Sequence, residues 1–184
     1  MRPVLLAAAV ATALVAGGPS AHAAPGVRIY QSSADRSITE GETVIEGDPA
    51  DVYAEVLDFS RWTVIFPDVL QVVITEQKGN DARVTLIGPN DHHDNLHFKN
   101  QPQARMIFFE DTGGHADVWA EIMFLPADQP HTTRVHTRLY ADVHGVASLV
   151  VSGGDVRRMR ELKIERDLVH IREYFKRRAS VVRL

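Results

Sequence analysis

From residue 70 to residue 143 the chain alternates apolar and polar positions with a period of two, interrupted at short intervals by turn residues. That period belongs to strands with one covered and one wet face. The interruptions are Lys78-Gly79-Asn80-Asp81, Gly88-Pro89-Asn90-Asp91, Asn100-Gln101-Pro102, Thr112-Gly113-Gly114 and the segment 126–130. They predict strands over 70–77, 82–87, 92–99, 104–110, 116–125 and 132–143. The last two are the clearest. Ala116, Val118, Ala120, Ile122 and Phe124 form one apolar row, and Thr133, Val135, Thr137, Leu139, Ala141 and Val143 the other. Arg134, His136, Arg138, Tyr140 and Asp142 fall on the opposite face of the second strand, as in an antiparallel sheet covered on one side. A hairpin register sets Asp117 and Glu121 across from Arg138 and from Arg134 or His136, which makes modest surface pairs.

Helical patterning frames this block. A strand is expected over 37–46, after which Asp48-Pro49 opens a helix: Asp48 can cap, and proline fits the first helical position. Val52, Val56 and Phe59 supply its apolar stripe, and a second short helix over 60–66 stops at Pro67. A long helix begins at Gly153-Gly154-Asp155 and runs to about residue 176, with Ile164, Leu168, Ile171 and Phe175 on one line. In its first half Val156, Met159 and Leu162 lie off that line, and Arg157 and Arg160 lie near it. Either that half is partly exposed or an arginine is directed into whatever the helix covers. Residues 24–36 are small and polar and read as a loose arm.

The N-terminus changes the picture. Arg2, an apolar run over 4–16 and Ala21-His22-Ala23 have the order of a secretory signal with its cleavage site, so export to the periplasm or outside the cell is expected. The run is too short to span a bilayer. Cleavage after Ala23 leaves 161 of the 184 residues, and a lipoprotein anchor is not expected because the chain has no cysteine. The same absence removes disulfides and thiol chemistry, so stability must come from an ordinary core, which one domain of this length can build. A net charge of −4 with mixed signs does not fit nucleic-acid binding.

The segment IEGDPADVYAEVLDFSRWTVIFPDV, residues 45–69, resembles the START-like superfamily of the Bet v 1, polyketide cyclase and coenzyme-Q-binding type. The matching positions are Pro49, Val52, Tyr53, Val56, Leu57, Asp58, Phe59, Trp62, Phe66 and Pro67. Residues 117–143 resemble the two closing strands of that group, and the likeness extends over about 38–176. The resemblance implies an α+β helix-grip fold over 37–178. A curved seven-stranded antiparallel sheet would wrap the long C-terminal helix, with two short helices after the first strand and a cavity for an apolar ligand.

On that reading the candidate lining is Trp62 and Phe66 from the short helices, and Val84, Leu86, Leu96 and Phe98 from the middle strands. The closing strands add Val118, Ile122, Val135 and Leu139, and the helix adds Leu168 and Ile171. Arg105 is a candidate polar anchor, because its strand is apolar on both rows. The expected partner is an apolar small molecule, such as a lipid, sterol, quinone-like or aromatic compound, with transient membrane contact and no nucleic acid. No cofactor is expected. The competing reading is a polyketide cyclase or aromatase, although no nucleophile–base pair or carboxylate pair is visible. His93-Asp94-Asn95-Leu96-His97 resembles a helical zinc signature. It is flanked by turn residues, however, and alternates like a strand, which would hold His93 and His97 about 13 Å apart. No metal site is expected there.

Overall fold

The computed structural model describes residues 24–113, 116–143 and 152–182. The expected signal segment 1–23 lies outside the described residues. Eight strands form one antiparallel sheet: β1 (Val27–Gln31), β2 (Ile38–Glu46), β3 (Gln71–Lys78), β4 (Asp81–Gly88), β5 (His92–Gln101), β6 (Met106–Asp111), β7 (Ala116–Pro126) and β8 (Thr132–Val143). Their order is β1-β2-β8-β7-β6-β5-β4-β3. Helices α1 (Pro49–Leu57) and α2 (Trp62–Ile65) follow β2, and α3 (Gly153–Val182) closes the chain. This is the helix-grip arrangement, with eight strands rather than seven.

The extra strand lies in the stretch expected to be a loose arm. β1 pairs along its whole length with β2, from Val27↔Thr43 to Gln31↔Thr39. Val27 is its one fully buried residue, so an edge strand held mainly by backbone hydrogen bonds leaves almost no hydrophobic pattern. The arm is also tied to α3: Ala24 donates its main-chain N–H to Glu165 Oε1 at 2.7 Å, and Arg172 donates to the Pro25 carbonyl.

Asp48 precedes α1, but its carboxylate does not cap the helix; it accepts from His131 Nδ1 at 3.1 Å instead. The helix is held by the apolar contacts of Val52 and Val56, at 1% and 0% exposure. Ser152 and Asp155 form a reciprocal cap before α3: Ser152 N–H and Oγ donate to Asp155 Oδ2, and the Asp155 N–H returns to Ser152 Oγ. These bonds hold the Asp155 carboxyl below its ordinary pKa.

The hairpin β7–β8 puts the expected inner rows together, with Val118↔Ala141, Ala120↔Leu139, Ile122↔Thr137 and Phe124↔Val135. On the outer face Glu121 pairs with Arg138 at 2.8 Å, a different register from the expected one, which sets Asp117 across from Arg138 and Glu121 across from Arg134 or His136. Asp117, by contrast, stands opposite Asp142, while Arg134 and His136 turn to Asp128 and Glu40. Phe108, Trp119 and Tyr140 stack across β6, β7 and β8 on that face, with centroids 6.2 and 5.7 Å apart.

Candidate functional site

Helix α3 lies on the concave face. Its buried line runs Val156, Arg160, Ile164, Leu168, Ile171 and Phe175. Ile164, Leu168 and Ile171 are at most 1% exposed. Close approach is possible because β2 carries Gly41 at the crossing: a Cβ there would meet Ile164 Cγ2 at 2.3 Å. Phe124 and Val135, both 0% exposed, belong to the same packed core. Ile122 and Leu139 are buried beside them. The helix therefore packs directly on β2 and β8 at this end.

The aromatic candidates pack mainly on one another. Trp62 lies 5.1 Å from Phe66 and 5.3 Å from Phe98, centroid to centroid, and Phe59 and Phe109 extend the group. The indole N–H of Trp62 donates to the Val56 carbonyl at 2.8 Å, which satisfies its one polar atom inside the core. Val84 and Leu86 are buried in the same core cluster.

Among the described residues, the sheet–helix space is less completely covered at the end where β8 finishes and α3 begins. There Leu96 on β5, Phe109 on β6, and Val118 and Ala141 on β7 and β8 are only half-buried, although they belong to the inner rows. They lie on four adjacent strands as a staggered apolar strip: Phe109 pairs with Phe98, and the residue in register with Leu96 on β6 is Asp111.

At one end of that strip stands Arg160, 6% exposed. Its Nε donates to Thr39 Oγ1 at 3.1 Å and its Nη1 to the Ala141 carbonyl at 3.0 Å. Among the described residues, no carboxylate lies within ion-pair distance of it. Burial pulls the guanidinium below its ordinary pKa, and Glu161, Tyr140 and Asp35 act in the opposite direction. The two carboxylates are engaged elsewhere: Glu161 pairs with Arg157 at 3.3 Å, and Asp35 accepts from Ser37. Of the two arginines near the apolar line, Arg157 is exposed and Arg160 is directed into the covered space. Periodicity brought both to attention and could not choose between them.

Arg105 is placed otherwise than expected. It precedes β6 instead of lying within it, because Pro102–Ala104 form a 3-10 turn and Arg105 itself is left-handed at φ 46°. Its Nε donates to the Phe124 carbonyl at 3.3 Å.

His92, His93 and His97 lie on β5 with separate carboxylate partners. His92 meets Asp94 at 2.9 Å, His93 meets Asp91 at 3.0 Å, and His97 lies between Glu110 at 3.0 Å and Asp81 at 3.1 Å. Among the described residues no group of three or more histidine or acidic side chains is arranged to hold a metal ion. Nor does a described helix have the length and apolarity to cross a membrane.

No protein-family model matches the chain, and no curated protein matches it in sequence. Solved structures do match. The Zhui aromatase/cyclase of Streptomyces sp. R1128 superposes with a TM-score of 0.61 at 15% identity, over 83% of this chain and 96% of that one. A START superfamily protein from Mycobacterium smegmatis gives 0.63 at 13% identity, over 76% and 97%. The di-domain aromatase/cyclase BexL of the BE-7585A pathway gives 0.64 at 16%, and the aligned part covers 46% of its length, about one of its two domains. At these identities the likeness shows the fold. The chain has the START-like, helix-grip architecture.

Proposed function

We propose that the protein is an exported binding or carrier protein for an apolar small molecule, held between the inner face of the sheet and the first half of α3. The observation that carries this reading is the half-buried strip Leu96, Phe109, Val118 and Ala141, on a START-like fold whose other end is closely packed. Apolar side chains left partly uncovered inside a concave face favour a guest that completes their burial, at roughly 25 cal/mol per Å² removed from water. Entry at this end leaves the helix undisturbed where Gly41 and Ile164 fix it.

Export is supported by the N-terminal pattern alone, and the ligand class by the chemistry of the strip. A second reading is an aromatase- or cyclase-like enzyme, which two of the three structures described above are named as. It is supported locally by the His92–Asp94 pair, which continues the inner row of β5 beyond Leu96 and could move a proton.

The test is native mass spectrometry and solvent extraction of the protein purified from the periplasm of its own source. A co-purifying apolar molecule in stoichiometric amount is expected, and is to be lost or weakened in Val118→Asp. Protein recovered without any such molecule, and unable to take up apolar probes, refutes the carrier reading. Turnover of an aromatic polyketide lost in His92→Ala would establish the enzymatic one.

A further inference from the structure

We infer that Arg160 is the head-group anchor of this site and that the ligand is a carboxylate-bearing apolar molecule, its acid at Arg160 and its body along Phe109 and Val118. The inference rests on the binding reading above and makes it specific.

A guanidinium has five N–H donors in a planar fork, keeps its charge at any physiological pH, and loses much hydration on burial. Two neutral acceptors, Thr39 Oγ1 and the Ala141 carbonyl, take the Nε and Nη1 donors. Neutral acceptors leave the guanidinium without an ion-pair partner among the described residues; Glu161 and Asp35 act on it only from beyond ion-pair distance, and a buried charge held that way is costly. The two hydrogen bonds fix the fork against β2 and β8, so the cation is already oriented before any ligand arrives. An arginine serving only to tie the helix to the sheet could be replaced by a neutral donor at lower desolvation cost.

The position agrees with this chemistry. Ala141, whose carbonyl Arg160 holds, is the register partner of Val118. The anchor thus adjoins the half-buried strip instead of the packed end. The acidic groups that share the inner rows, Asp94 and Asp111, lie across the sheet on β5 and β6. They are already occupied: Asp94 with His92 at 2.9 Å, and Asp111 with the Gly113 N–H at 2.8 Å. An amphipathic acid is therefore drawn to one orientation, with its carboxylate toward β2 and β8. Charge-assisted, bidentate geometry is what separates a carboxylate from a neutral hydroxyl of similar shape.

The experiment compares decanoate with 1-decanol by titration calorimetry on the purified protein at pH 7.5. Decanoate is expected to bind at least tenfold more tightly. Arg160→Met, which keeps the length and apolar stem, is expected to abolish the preference and bring decanoate down to the affinity of decanol. Arg160→Lys should recover part of the difference. Equal affinities for the two probes in the unaltered protein overturn the anchor and leave the carrier reading standing. That comparison does not depend on any variant folding. Failure of both probes to bind overturns both. A lower melting temperature in Arg160→Met with the tenfold preference intact assigns Arg160 to structure alone and also overturns the inference.

Discussion

Gly41→Ala tests whether the helix is locked to the sheet at one end. Gly41 sits in mid-β2, opposite Thr137 on β8 and Ile29 on β1, with no left-handed backbone to complicate the substitution. The added methyl carbon would stand 2.3 Å from Ile164 Cγ2, 3.1 Å from Leu168 Cδ1 and 3.2 Å from the Arg28 carbonyl. Ordinary contact begins at 3.4 Å, so Ile164 must give way by about 1.1 Å. Ile164 is 1% exposed and Leu168 is 0%, so neither has free space to retreat into. Overpacking of this kind costs about 1–3 kcal/mol. Replacing a strand glycine by alanine returns roughly 0.5–1 kcal/mol of backbone entropy. The expected net loss is about 1–2 kcal/mol, or roughly 2–8 °C in melting temperature for a domain of this size.

Thermal and urea unfolding followed by circular dichroism measure this loss. Ile164→Ala alone should cost about 2–5 kcal/mol through the cavity it leaves. Combined with Gly41→Ala it should cost at least 1 kcal/mol less than the sum, since each change relieves the other. A Gly41→Ala protein as stable as the parent, or strict additivity in the double variant, would refute close packing at this crossing. The helix would then be free to lift and open the interior along its whole length.

Val118→Phe and Val135→Phe should behave differently, because Val118 is half-buried at the less covered end whereas Val135 is 0% exposed. The first should keep its melting temperature and lose affinity for an apolar probe; the second should lose about 1–3 kcal/mol of stability. Equal behaviour would contradict the two-ended interior. Ser152→Ala removes one side of the cap on α3 and should cost about 1 kcal/mol. The bonds from Ser152 favour the ionised Asp155, so their contribution is present above the unfolded carboxyl pKa and lost as pH falls through the lowered folded one. The Ser152→Ala difference should accordingly shrink in acid unfolding curves, and a constant difference from pH 7 to pH 2 would disprove the assignment. Export with cleavage after Ala23 predicts an N-terminal Ala24 in the periplasmic protein. Its new ammonium would then replace the amide now 2.7 Å from Glu165, and Glu165→Gln should lower the melting temperature of the processed protein more than that of the uncleaved chain. Intact mass and paired melts decide this.

What was legible in the sequence was whatever a local period can encode. The rows of β7 and β8 follow from alternation, because a pleated strand sends successive side chains to opposite faces whatever it pairs with. The line Ile164, Leu168, Ile171 and Phe175 likewise follows from helical spacing. β1 has no local signature, because an edge strand with one buried side chain is specified by its partner's backbone rather than by its own composition. Arg105 lies outside any periodic pattern, because a left-handed residue after a 3-10 turn leaves no periodic trace. Arg160 was visible as a charge near an apolar line, but only the tertiary structure determined that it is covered and which acceptors hold it. The same limit applies to the interior. Whether small residues on a concave face mean a close helix or an empty space depends on pairs such as Gly41 and Ile164, far apart in the chain. Packing is a property of such pairs, and no local pattern contains it.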